Sequence, residues 1–179
     1  MSDRNIKILA ICGSLRSNSA NIQIINYVAS QVSEQVEFRI FDGLASIPPF
    51  DDGEPNDDVL YWRQEIRAAD GIFICTPEYA FGVSGVLKNA LDWTVSTADL
   101  DGKPIALVTA ATGGEKAHAA LQLTLNVISA NNVLPDATLL ISFVRSKINK
   151  DGVITDSEAA KALKNVINVL TTCVKQSLQ

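Results

Sequence analysis

Residues 73–93 read FICTPEYAFGVSGVLKNALDW. An apolar run ends at Thr76, and a Pro77-Glu78-Tyr79 turn follows at once. Beyond Gly82 and Gly85, the spacing of Val86, Leu87, Ala90, Leu91 and Trp93 predicts a helix over 85–96. A strand that passes through a short turn into a helix is the unit of a parallel sheet, because a parallel neighbour needs a crossover connection.

The same unit recurs along the chain. Apolar runs lie at 6–12, 36–41, 71–76, 104–109 and 137–142, and helical patterns at 19–32, 57–69, 85–96, 115–131 and 156–176. This alternation predicts a single α/β domain over 1–179, a three-layer α/β/α arrangement around a five-stranded parallel sheet. The runs at 6–12, 71–76 and 104–109 are almost wholly apolar, as strands covered on both faces are. The run at 36–41 alternates, with Val36, Phe38 and Ile40 against Glu37 and Arg39, and so belongs at an edge. Right-handed crossovers and that edge together give the order 2-1-3-4-5, the flavodoxin-like doubly wound sheet.

Composition sets the remaining bounds. The chain has 179 residues, 47% of them apolar, and a net charge of −5. That charge, with no Lys/Arg block, argues against nucleic acid as a general partner. No apolar run is long enough to span a membrane, and the N-terminus does not read as a signal peptide. Cys12, Cys75 and Cys173 are widely spaced without a C-x-x-C pair. They read as reduced thiols of a cytoplasmic protein, with no metal site.

In a doubly wound sheet a ligand lies beyond the carboxyl ends of the strands, at the switch point of strand order. Three loops are therefore candidates. GSLRSNSAN (13–21) offers Ser14, Ser19, Asn21 and the cation Arg16 before a helix. That is a phosphate cradle, or, as the loop alone would favour, a Ser/Asn helix cap beside a solvated Arg. In the second loop, Tyr79 and Phe81 shape the mouth or pack at its rim, and Gly82 and Gly85 permit unusual backbone angles or close approach. The third, TAATGGEKAH (109–118), has Thr112, Gly113 and Gly114, which line a cavity without filling it or simply open a helix. The 85–96 helix is apolar on several faces, so a second subunit is expected to cover it. The single histidine, His118, reads as a surface or interface residue, and no Ser/His/Asp set can be assembled. IPPFDDGEPNDD (47–58) reads as a plain ordered loop, and NKDGVITD (149–156) as a turn that lacks the acidic spacing of an EF-hand.

GSLRSNSAN and TPEYAFGVSGVLKNALDW (76–93) resemble two signatures of the NAD(P)H-dependent FMN reductase family, which includes flavodoxin-fold quinone, chromate and azo-dye reductases. The likeness extends through 47–55, 66–79, 101–114 and 151–156. It implies that Ser14, Arg16, Ser19 and Asn21 hold the FMN phosphate. It likewise implies that Pro77, Glu78 and Tyr79 hold the ring system, with Ala80, Phe81, Thr112 and Gly113 beside it. This chain has Ala80 where the family carries Asn, Ser84 where it carries Pro, and Ala110 and Ala111 where many members carry Ser. The resemblance implies ping-pong hydride transfer from NAD(P)H to flavin N5 and on to a small acceptor; the 85–96 helix makes a homodimer or homotetramer the expected assembly. A flavodoxin-like electron shuttle is the rival reading, since it would use the same loops without turnover of NAD(P)H.

Overall fold

A computed structural model describes residues 4–178. Every residue of β3 (Gly71–Thr76) is buried, and β3 is the central strand of a five-stranded parallel sheet. β1 (Ile6–Cys12) and β2 (Val36–Phe41) lie on one side of it. Two very short strands, β4 (Glu78–Tyr79) and β5 (Gly82–Val83), form a separate antiparallel hairpin. β6 (Ile105–Ala110) and β7 (Val133–Ile141) complete the other side, so the order is β2-β1-β3-β6-β7. This is the doubly wound order expected, with the half-exposed β2 at an edge.

Helices α1 (Ala20–Ala29) and α5 (Ser157–Ser177) cover one face of the sheet. Helices α2 (Asp57–Ala68), α3 (Gly85–Val95) and α4 (Glu115–Ile128) cover the other. Alternate strand residues feed the two cores. Ile8, Ala10, Phe73 and Cys75 join the α1/α5 side, while Leu9, Ile11, Ile72 and Ile74 join the opposite side.

The outer strand differs most from expectation. β7 starts at Val133 rather than 137, and carries Pro135. Between Ile105 and Leu107 of β6, the pairing on β7 jumps from Val133 to Thr138. Such an irregularity and a proline, which has no N–H to donate, are both tolerated on an edge strand.

Part of α3 is covered by the chain itself, while Val95 at its end stays exposed. Trp93 donates its indole N–H to the Pro48 carbonyl at 2.9 Å and meets the Phe50 ring edge-on, with centroids 5.1 Å apart. Asn89 accepts the Phe50 N–H at 2.8 Å and donates to Pro48 at 2.9 Å. On the other side, Trp62 of α2 donates to the Ala90 carbonyl at 2.8 Å. The Pro48–Phe50 stretch is thus a strap over α3. Among the described residues, no helix is long and apolar enough to cross a membrane, and no group of His, Cys, Asp and Glu is arranged to hold a metal ion.

Candidate functional site

Gly13 ends β1 against Thr76 of β3. Its N–H bonds the Cys75 carbonyl at 2.8 Å, and a Cβ on Gly13 would lie 2.2 Å from Thr76 Oγ1. Glycine is required here because the two strand ends touch where the chain order reverses. Ser84 then explains itself: buried, it donates its hydroxyl to the Gly13 carbonyl at 2.6 Å and caps α3 through the Leu87 N–H. The second loop is tied to the first by this one side chain.

From Gly13 the chain turns into α1. The Ser19 hydroxyl accepts the Ile22 N–H at 3.2 Å and caps the helix. Ser14 is buried with its hydroxyl toward the Arg16 N–H at 3.4 Å. Asn21 is buried too. Its amide bridges two strands, donating to the Ala110 carbonyl at 3.4 Å and accepting from the Cys75 thiol at 3.3 Å. Arg16 extends into solvent with no ion-pair partner among the described residues.

In the second loop, β4 and β5 are joined by Ala80 and Phe81, with φ of 48° and 58°. Two successive left-handed residues make the tight turn that suits a two-residue hairpin, normally built from Asn and Gly. Gly82 and Gly85, read as permitting unusual angles or close approach, show neither: neither has a positive φ, and a Cβ on Gly82 would come no closer than 3.6 Å to a neighbour and one on Gly85 would meet nothing within 4 Å; the left-handed angles fall on Ala80 and Phe81. The hairpin presents Tyr79 half exposed and Phe81 80% exposed. Its foot is clamped by Glu78, whose carboxylate accepts the N–H groups of Gly114 at 3.1 Å and Ala117 at 2.9 Å, at the start of α4.

In the third loop Gly114 has φ 119° and stands at the N-terminus of α4. His118 is partly exposed on α4. Its Nδ1 lies 2.9 Å from the Thr109 hydroxyl, and burial pushes its pKa below the ordinary imidazole value. Burial also raises the pKa of the Cys12 thiol, and raises that of Cys75 well above the usual range, so neither is an activated nucleophile.

These loops enclose a cavity of about 380 Å3 at the carboxyl end of the sheet. Of the residues singled out in the sequence, Ser14, Arg16, Ser19, Asn21, Pro77, Glu78, Tyr79 and Thr112 line it. Ala80 and Phe81 form the hairpin tip outside its wall, and Gly113 lies beside it, facing Glu78. A fourth wall was missed in the sequence. After β7, the Phe143 N–H bonds the Thr112 carbonyl and the Val144 N–H the Ala111 carbonyl, both at 3.1 Å. That seam delivers Arg145, Ile148, Asn149 and Lys150 to the cavity. The signal available was three cations within six positions, Arg145, Lys147 and Lys150, close to a turn motif, in an acidic chain.

The donor set fits a flavin mononucleotide. One end of the cavity has hydroxyls, a helix N-terminus and an uncompensated guanidinium, which suit a phosphate dianion. The other end has Pro77, Tyr79 and the small Ala110–Thr112 stretch, which leave room for a flat ring.

Comparisons with known proteins agree. The chain is 31% identical over 190 residues to an NAD(P)H-dependent FMN reductase of Pseudomonas aeruginosa, covering 98% of both chains. It is 29% identical over 183 residues to NADH-dependent flavin reductase subunit 2 of Lactobacillus johnsonii, covering 96% of this chain and 99% of that one. Among solved structures, FerB from Paracoccus denitrificans, a flavoenzyme NAD(P)H:(acceptor) oxidoreductase, superposes with a TM-score of 0.75 at 22% identity, over 96% of this chain and 98% of that one. Residues 6–145 match the family described as NADPH-dependent FMN reductase. The chain therefore belongs to the NADPH-dependent FMN reductase family, as an oxidoreductase that uses FMN with NAD(P)H as its co-substrate.

Proposed function

We propose that this protein carries out ping-pong transfer of reducing equivalents from NAD(P)H to a small acceptor such as a quinone, free flavin, azo compound or chromate. The observation that carries this reading is the open cavity, phosphate-binding in character at the 13–21 loop and faced by half-exposed Tyr79 at its mouth. Bound FMN supplies the two-electron redox chemistry, so the protein need not supply an acid–base pair.

The chain's own residues have three tasks. Ser14, Ser19, Arg16 and the first amides of α1 hold the phosphate. Asn21 keeps the floor flat by spending its amide on Cys75 and Ala110. Pro77, Glu78 and Tyr79, fastened to α4, set the height of the wall above the ring, with Ala80 and Phe81 at its rim and Thr112 and Gly113 across from it. An open mouth lets dinucleotide and acceptor use one place in turn, which is the structural requirement of ping-pong kinetics.

The test is a spectrum of the purified protein with FMN, followed by NADPH or NADH oxidation against a panel of acceptors. Parallel double-reciprocal lines are expected. Steady binding of FMN without NAD(P)H oxidation would instead favour the electron shuttle.

A homodimer or homotetramer and a cytoplasmic setting belong to the same reading. Its support lies in exposed apolar residues: Val95 of α3 is 57% exposed, and Leu123 and Val127 of α4, one turn apart, are 71% and 82% exposed. Light scattering of the pure protein, compared with Leu123→Asp/Val127→Asp, tests whether a second copy covers them.

A further inference from the structure

The chain is acidic, yet the cavity is not. Three cations line it: Arg16 from the 13–21 loop, and Arg145 and Lys150 from the segment after β7. Among the described residues none of the three is in an ion pair, whereas Lys147, between the latter two, is spent on Asp156 at 3.0 Å. The one acidic residue on the wall is Glu78, and its carboxylate is taken up by the Gly114 and Ala117 amides. Three uncompensated positive charges therefore face one space.

The segment that carries two of them is built, not loose. Its start is sewn to the third loop by the Phe143 and Val144 amides. Its turn is closed by a bridge between Ile148 and Ile154 and by Asn149, whose side chain accepts the N–H groups of Asp151 at 3.0 Å and Val153 at 2.9 Å. Gly152, with φ 82°, packs against Gln23, and Gln23 donates to Asn18 in the phosphate loop at 2.7 Å. The backbone that carries Arg145 and Lys150 is thus anchored beside the 13–21 loop, and both side chains are exposed.

Charge arithmetic says what they are for. A phosphate monoester carries about −1.5 to −2 at neutral pH. Arg16 and an N-terminal helix dipole, worth roughly half a charge, already come close to balancing it. Two further cations exceed the need of FMN and match a second phosphoryl group. We propose that Arg145 and Lys150 form an anion subsite that takes a phosphoryl group of the nicotinamide dinucleotide, either the 2′-phosphate of NADPH or the diphosphate common to NADPH and NADH. This rests on the flavin reading of the cavity.

The test compares the wild type with Arg145→Gln/Lys150→Gln and with the charge-keeping Arg145→Lys/Lys150→Arg. Three quantities are read: FMN dissociation constant by fluorescence, NADP+ and NAD+ binding by calorimetry, and KM for NADPH and NADH at low and high salt. The neutral variant should weaken dinucleotide binding and raise KM about tenfold, with FMN affinity and melting temperature nearly unchanged. The charge-keeping variant should recover most of the loss, and the wild-type advantage should shrink in high salt. A loss confined to NADP+ and NADPH assigns the subsite to the 2′-phosphate; an equal loss for both assigns it to the diphosphate. If FMN affinity falls as far as dinucleotide affinity, the cations serve the flavin phosphate and the proposal is overturned. It is also overturned if neither changes. A wild type that binds no FMN and oxidises no NAD(P)H overturns the flavin reading itself, an outcome visible before any variant is made.

Discussion

The Glu78 carboxylate accepts the Gly114 N–H at 3.1 Å, across a gap of 36 residues in the chain. Its second oxygen takes the Ala117 N–H at 2.9 Å. One side chain therefore satisfies two of the orphan amides of α4 and holds the second loop against the third. A carboxylate at a helix N-terminus is favoured by the dipole as well.

Glu78→Ala should lower stability by about 2 kcal/mol, the scale of losing charge-assisted hydrogen bonds. It should also weaken FMN binding, since the wall is no longer fastened. Glu78→Gln keeps an acceptor and should lose less on both counts. Denaturant unfolding and flavin titration check this; equal stability of all three proteins would refute the clamp.

Ala80 occupies the left-handed region while exposed, at a cost of order 1 kcal/mol. Ala80→Asn places there a residue that tolerates this conformation, and should stabilise the protein by roughly 0.5–1 kcal/mol. The expected readout is a rise in melting temperature, larger than that of a control Ala→Asn change on an exposed helix face.

Gly13→Ala should be severe, because the new Cβ would lie 2.2 Å from Thr76 Oγ1 and 2.7 Å from Thr76 Cβ. Overpacking of this kind costs on the order of 1–3 kcal/mol or more. Thr76→Ala in the same chain should fail to rescue, since its Cβ remains. Thr76→Gly should recover part of the loss, as measured by thermal unfolding and soluble yield.

His118 has a folded-state pKa pushed below its ordinary value of 6.5 by burial. The unfolded chain therefore takes up a proton at His118 before the folded chain does. Its contribution to stability is complete above about pH 6.5 and is lost as pH falls through the lower folded value. His118→Gln should flatten the decline of melting temperature between pH 7 and pH 5 without altering the rest of the profile.

The strands at 6–12, 36–41 and 71–76 were legible to the residue, because long apolar or alternating runs bounded by polar turns leave little choice of register. The start of β7 was not, since Leu134-Pro135-Asp136 has the composition of a turn and is a strand only because an edge can absorb it. The covering of α3 depended on Phe50 and Trp93, contacts across 43 positions that no local pattern reveals. At the site, the 13–21 loop and the Pro-Glu-Tyr turn were visible as motifs. The left-handed Ala80-Phe81 turn was hidden because it lacks the Asn-Gly that usually announces it. Arg145 and Lys150 were hidden because their place depends on the bonds from Phe143 and Val144 to the third loop.

Both margins of the sheet resist growth. At β7, Pro135 offers no N–H, and the jump in pairing opposite Ile105–Leu107 bends the outer ribbon away from any flat template. At β2, Glu37 and Arg39 project charge along the rim, with Arg39 bound to Glu65 at 2.6 Å. A foreign strand docking on either side would meet a missing donor or would have to strip water from ions. The sheet should therefore not seed stacking from molecule to molecule, even with a hydrophobic centre such as Phe73 and Ile74 at its heart.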